Sequence, residues 1–229
     1  MKSIFQNLSE KHSLRKVSPR RDKGLNSKTI RHGDLNSLVT NLIQEQGIFS
    51  WRVPEENWYS GLGLTYTPNR NEDSQIQVLG NWGSSDYDCG MQFYKVQEWA
   101  KPIFELVNLP LTPIRSRIAI ADGKVYMPPK AGWHIDESPY ETLRLNIPIR
   151  TNPNFYFQLD NCLPEHLPTG RAYWWDTQIP HRVYHKQNSS IRIHLVLGFS
   201  PWFMLKDSEW IPNEFFNRVH PLDIPYETL

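Results

Sequence analysis

Apolar residues recur along this chain with two periods, and the change from one to the other divides it. In residues 34–46, Leu35, Leu38, Val39, Leu42 and Ile43 fall at i, i+3, i+4, i+7 and i+8, one face of an amphipathic helix. Asp34 can cap its start and Gly47 can close its end. Residues 50–53 and 61–67 are strand-like in composition. Residues 68–90 are rich in Asn, Asp, Ser and Gly and read as a long loop, a candidate lid carrying Trp82 and Tyr87. A second helix is expected over about 92–107, with Phe93, Val96, Ala100, Ile103 and Val107 on one side and a kink at Pro102.

From residue 114 onward the helical period gives way to short alternating runs. Strands are expected near 115–121, 124–127, 132–136, 142–150, 154–159, 170–176, 181–186 and 190–199. Short strands at this even spacing argue for a barrel or sandwich rather than a parallel sheet with crossover helices. A short helix is expected around 212–219, followed by Pro-rich coil. Within 142–150, Leu143, Leu145, Ile147 and Ile149 share one face, and Arg144, Asn146 and Pro148 share the other. Within 190–199, Ile191, Ile193, Leu195 and Leu197 lie opposite Arg192, His194 and Val196. Two architectures fit. Either the polar faces meet water, as in a one-sided antiparallel sheet, or they line a barrel whose aliphatic outside is covered by the two N-terminal helices.

Length and composition narrow this little. At 229 residues the chain suits one domain: a basic arm over 1–33, then a single domain over 34–229, with support elements in 34–113, a β core in 114–199 and a tail in 200–229. Nine Trp, ten Tyr and ten Phe suit a β-rich core or an enclosed pocket. The net charge of +1 implies no nucleic-acid partner. Locally, residues 11–31 hold eight Lys or Arg and one acid, Asp22, which reads as a solvated arm or a basic tail for an acidic partner. Cys89 and Cys162 make no CxxC, so neither a disulfide framework nor a zinc knuckle is indicated. No apolar run has signal-peptide or membrane-span length, so a cytoplasmic protein with no membrane partner is expected.

The chemistry centres on His134-Ile135-Asp136, which places an imidazole and a carboxylate at i and i+2, on one face of a strand. A His from a neighbouring strand would complete a 2-His-1-carboxylate triad, which leaves metal positions open and suits non-haem Fe(II). The run from Gly170 through Asp176 reads as strand and turn, opening the next strand at His181. Eleven residues later Arg192 stands on a polar face. Inside a barrel its guanidinium needs an anion, and a dicarboxylate would pair with it bidentately. His185 shares a strand face with His181 and is an alternative ligand; His194 shares a face with Arg192 and suits a supporting or cosubstrate contact. His166 reads as a loop residue. Asp176 either orients a ligand or serves the turn. Trp133, Trp174 and Trp175 flank the site, and by parity at most one of the last two faces a pocket.

Residues 128–199 resemble the aspartyl/asparaginyl β-hydroxylase-like group of Fe(II)/2-oxoglutarate oxygenases, which includes free-proline hydroxylases. In family order the chain supplies Arg115-Ser116-Arg117, His134, Arg144-Leu145-Asn146, Gly170 to Asp176 to His181, and Arg192. The resemblance implies a mainly β fold with flanking helices, a double-stranded β-helix (jelly-roll, cupin-like) barrel. It implies His134 and His181 as metal ligands, with Asp136 present as in the proline-hydroxylase branch and unlike vertebrate-type aspartyl hydroxylases. Arg192 would bind the C5 carboxylate of 2-oxoglutarate, and Arg144, Asn146 and His194 would line the cosubstrate pocket. The implied activity uses Fe(II), 2-oxoglutarate and O2 to hydroxylate a free or peptidyl amino acid, with release of succinate and CO2. Two rivals remain at this level: a cupin-type metal enzyme not using 2-oxoglutarate, and a catalytically silent barrel used for binding.

Overall fold

In the strands that follow residue 111, successive side chains point to opposite faces, and the structure gives each face a buried partner. The computed structural model describes residues 20–24, 32–45, 59–66, 95–124, 132–186, 190–207 and 209–228. Six strands form the larger sheet, in the order β1 (Arg20–Gly24), β8 (Arg171–Trp175), β6 (Leu143–Arg150), β10 (Arg192–Ser200), β5 (Thr112–Ala121) and β2 (Tyr59–Gly63). All neighbours in it are antiparallel. A smaller layer pairs β7 (Phe155–Leu159) with β9 (His181–His185). Bridges His134↔His181 and Phe157↔Glu165 extend this pair on either side. From β5 the chain passes to the His134 bridge, back to β6, across to β7 and Glu165, back to β8, across to β9 and back to β10. That winding between two antiparallel layers is a double-stranded β-helix.

The aliphatic faces pack outward. Leu143, Leu145, Ile147 and Ile149 of β6 and Ile193, Leu195 and Leu197 of β10 join one core. Leu35, Val39, Leu42 and Ile43 of α1 (His32–Glu45) and Ile103 and Val107 of α2 (Lys101–Val107) close it. Between the layers lies a second cluster of Phe157, Leu159, Leu167, Tyr173 and Trp175. Arg144, Asn146, Arg192 and His194 are also buried. The polar faces therefore line a barrel lumen and do not meet water.

Several elements depart from expectation. Of the helix expected over 92–107, Lys95–Val96 is instead strand β4, paired with β3 (Thr65–Tyr66), and Glu98–Ala100 is a 3-10 turn. Helix α2 starts only at Lys101, which puts Pro102 in its first turn. There the missing N–H has no intrahelical partner to lose, so Pro102 starts the helix and does not kink it. No helix spans 212–219; Asn217 has φ 57°, which interrupts a right-handed helix. Residues 214–218 are turns, between a hairpin of β11 (Phe203–Lys206) and β12 (Glu209–Pro212) and a short helix α3 (Ile224–Thr228). Residues 132–136 are not a strand: only His134 pairs in ladder fashion. The Asp136 N–H bonds Thr177 O at 2.9 Å, because the turn before His181 draws the segment out of register.

The candidate lid 68–90, the strand at 50–53, most of that at 124–127 and most of the basic arm lie outside the described residues. From the arm, Arg20–Gly24 adds an edge strand to β8. Among the described residues no helix is long and apolar enough to cross a membrane.

One irregularity shapes the lumen. The β5–β10 register slips between Val196 and Gly198, and β5 takes up the extra residue at Arg115, with φ 46°. A Cβ on Gly198 would lie 2.3 Å from Ile114 O, so only glycine lets the strands approach here. The Gly198 N–H donates to Ser116 Oγ at 2.9 Å, and that hydroxyl lies 3.1 Å from Ile114 O.

Candidate metal centre

His134 and His181 face each other as a bridged pair. His134 N–H donates to His181 O at 3.0 Å, and His181 N–H to His134 O at 2.9 Å. Their ring centroids are 4.4 Å apart. Nδ1 of His134 lies 2.6 Å from Gly132 O, and Nδ1 of His181 lies 2.9 Å from Ile179 O. A carbonyl only accepts, so each Nδ1 carries the hydrogen and each Nε2 keeps a lone pair. Both lone-pair nitrogens approach Asp136 Oδ2, at 3.8 Å for His134 and 3.5 Å for His181.

The spacing fits a metal. With bonds of roughly 2.1 Å, adjacent ligands around an octahedral ion stand about 3.0 Å apart, so each histidine needs to close on Asp136 by less than an ångström. Two imidazoles and one carboxylate match the facial donor set of non-haem Fe(II). His181 is buried while the His134 side chain is 49% exposed, which leaves the centre open on one side. Burial of Asp136 opposes its charge, but the neighbouring His181 and then Arg144 and His134 outweigh it and hold the carboxyl far below its ordinary range. Partial burial and then the neighbouring His181 push the His134 pKa down, against the Gly132 carbonyl and Asp136. Both shifts favour the protonation states a metal requires.

Behind His134, Asp136 and His181 runs a chain of paired charges. Arg144 donates through Nη1 to Asp136 Oδ2 and through Nη2 to Glu137 Oε2. Arg115 Nη1 pairs with Glu137 Oε1. The Thr177 hydroxyl donates to the Glu137 carbonyl.

A small cleft is lined by Thr151, Tyr156, Phe157, Leu167, Arg192 and His194. Arg192 Nε donates to His194 Nε2 at 2.9 Å, and its Nη2 lies 2.6 Å from Nδ1. Burial, then Arg192, then His166 drive the His194 pKa well below its ordinary value, so the ring is neutral. Phe157 joins cleft to metal centre: its ring is 4.3 Å from Trp175 and 6.3 Å from His181.

The sequence-derived residues divide as follows. His134, Asp136 and His181 converge. His185 sits at the opposite end of β9 against Phe155, 5.2 Å between rings, outside that group. Arg192 and His194 share the cleft. Asn146 is buried on β6, opposite Tyr173 of β8. Arg144, expected beside the cosubstrate, lies against Asp136 and Glu137. Asp176 serves its turn, accepting the Gln178 N–H at 3.0 Å. His166 Nδ1 lies 3.3 Å from Phe155 O. Trp133 is 39% exposed under the Arg182 guanidinium. Trp174 packs in the outer core and Trp175 in the lumen, 5.4 Å from His181. Glu137 and Thr177 were not anticipated. For Glu137 the signal in the sequence is an acid directly after Asp136, in a chain whose strands alternate arginine with aliphatic residues.

No protein-family model matches the chain, and no curated protein matches it. Solved structures do. They include a 2OG-Fe(II) oxygenase family oxidoreductase from Burkholderia pseudomallei, at 14% identity over 87% of this chain and 91% of that chain, TM-score 0.42. A prolyl-4-hydroxylase from Pseudomonas putida matches at 10% identity over 86% and 98%, TM-score 0.40. A prolyl hydroxylase in complex with a hypoxia inducible factor oxygen degradation domain peptide fragment, from Trichoplax adhaerens, matches at 13% identity over 85% and 90%, TM-score 0.42.

Proposed function

We propose that the chain is an Fe(II)- and 2-oxoglutarate-dependent oxygenase that hydroxylates an amino acid, free or within a peptide, with release of succinate and CO2. The observation that carries this reading is the His134–Asp136–His181 group, with both Nδ1 atoms tied to carbonyls and both Nε2 atoms turned to one carboxylate. His134, Asp136 and His181 would hold Fe(II), which supplies the O2 chemistry once 2-oxoglutarate is bound.

The chain's own residues supply orientation. Arg192, which lines the cleft, would offer its guanidinium to the distal carboxylate of a dicarboxylate. Neutral His194 keeps that charge undiluted and braces the guanidinium. Asn146, buried on β6 opposite Tyr173, would add an amide on the lumen face. Phe157, Leu167 and Trp175 wall the lumen between cleft and metal with apolar surface, which excludes water and strengthens each polar contact. The half-exposed His134 marks the side from which a substrate reaches the centre.

An anaerobic titration with Fe(II) and then 2-oxoglutarate tests this reading through the visible metal-to-ligand charge-transfer band. Wild type is expected to develop the band, and Arg192→Ala to need at least about tenfold more 2-oxoglutarate, as for loss of a charged hydrogen-bonding partner of roughly 1.5–3 kcal/mol. Bound metal without a band would favour a cupin-type metal enzyme. No bound metal would favour a binding module.

A further inference from the structure

Asp136 lies in a segment with little regular structure to hold it: residues 135–138 belong to no strand. Thr177 ties the backbone at Asp136 and Glu137: its carbonyl accepts the Asp136 N–H and its hydroxyl donates to Glu137 O. The carboxylate itself is fixed by Arg144. The Arg144 guanidinium is shared with Glu137, whose other oxygen meets Arg115. The Glu137 side chain is 2% exposed, and both arginines are nearly as buried. Arg115 and Arg144 come from β5 and β6, the strands on either side of β10. Arg115 occupies the bulge that Gly198 permits. The order Arg115, Glu137, Arg144, Asp136 alternates in sign and is neutral as a set.

Resting on the reading of His134, Asp136 and His181 as a metal centre, we infer that Glu137, clamped between Arg115 and Arg144, is a positioning residue for that centre. It holds the Arg144 guanidinium in the plane where one nitrogen meets Asp136, so the carboxylate faces the two Nε2 atoms. It also supplies the negative charge that lets Arg144 stand next to a divalent cation. Without Glu137, Arg144 bears more fully on Asp136 and competes with the metal for its carboxylate. Arg115 acts one step further back by fixing Glu137.

A merely structural role would show in stability, whereas this one shows in metal affinity. The test uses Mn(II) as a redox-stable probe, with free ion read by electron paramagnetic resonance, beside thermal melting of the metal-free protein. The main variant is Arg115→Met with Glu137→Met. It removes one charge of each sign and keeps volume, the kind of apolar replacement of a buried ion pair that leaves folds intact. It is expected to melt cooperatively, close to wild type, while its Kd for Mn(II) rises roughly 10- to 100-fold, as for other partners that orient metal ligands. Glu137→Gln, which keeps the shape and loses the charge, is expected to weaken Mn(II) about tenfold, and it decides the matter if the double variant fails to fold. Wild-type affinity in either folded variant overturns the inference and leaves the metal centre standing. A folded wild type that binds neither Mn(II) nor Fe(II) overturns the metal centre and the inference with it.

Discussion

His194 lies inside the lumen against Arg192, and burial, Arg192 and His166 each make a proton there costly. In the unfolded chain the same imidazole titrates near pH 6.5. Its folded pKa is the lower of the two, so below about pH 6.5 the unfolded state binds more protons and stability falls as pH falls. The neutral ring contributes fully above that pH, and the loss continues down to the folded pKa. His134 is shifted in the same direction and adds to the slope. Denaturant midpoints measured between pH 7 and pH 5 should therefore drop more steeply for wild type than for His194→Gln, which cannot titrate. Parallel curves for the two proteins would show that His194 takes up no proton on unfolding in that range.

At the scale of elements, the bulge in β5 does what a regular strand could not, turning Arg115 toward Glu137 while Ile118 and Ile120 stay in the outer core. Gly198→Ala places a methyl 2.3 Å from Ile114 O, a backbone atom that cannot swing aside. Overpacking of this kind costs roughly 1–3 kcal/mol, so urea unfolding should show at least that loss; an equally stable variant would mean that the strands part here freely. None of this geometry has a sequence signal, because Ser116, Gly198 and Arg115 meet only through strand pairing. The alternation in β6 and β10 was legible, since Leu143, Leu145, Ile147 and Ile149 face one core and Arg144 and Asn146 the lumen. Legible too was the grouping of His134, Asp136 and His181. Period alone misled at 92–107, where Val96, Ala100, Ile103 and Val107 keep a helical spacing across a strand, a 3-10 turn and a short helix. It misled again at 132–136, where HxD suggests a strand, and His134 and Asp136 instead hang from one bridge and a turn. Glu137 stayed hidden because its partners lie on two separate strands, so its pairing is a property of the tertiary structure.

The whole molecule has two interiors, and the neighbours Trp174 and Trp175 report on one each. Trp174 is fully buried among the outer aliphatics, and its Nε1–H donates to Leu222 O at 2.9 Å, tying the C-terminal segment to the larger sheet. Trp202 makes a similar tie to Val219 O at 2.8 Å. Trp175 faces the lumen, edge-on to His181 and in contact with Phe157. Trp174→Ala removes a packed ring and leaves a buried carbonyl without its donor, so it should cost roughly 3–5 kcal/mol by chemical denaturation. It should also speed hydrogen exchange in 220–228, while a variant that stays folded keeps its metal affinity. Trp175→Ala widens a space that already opens into a cleft, so water can fill part of the gap and the loss of stability should be the smaller one. Its larger effect should fall on metal and dicarboxylate binding, because the wall that excludes water beside His181 is gone. If the two substitutions instead lowered stability and metal affinity in the same proportion, the outer core and the lumen would be one cooperative unit. The metal centre could then not be altered without altering the fold.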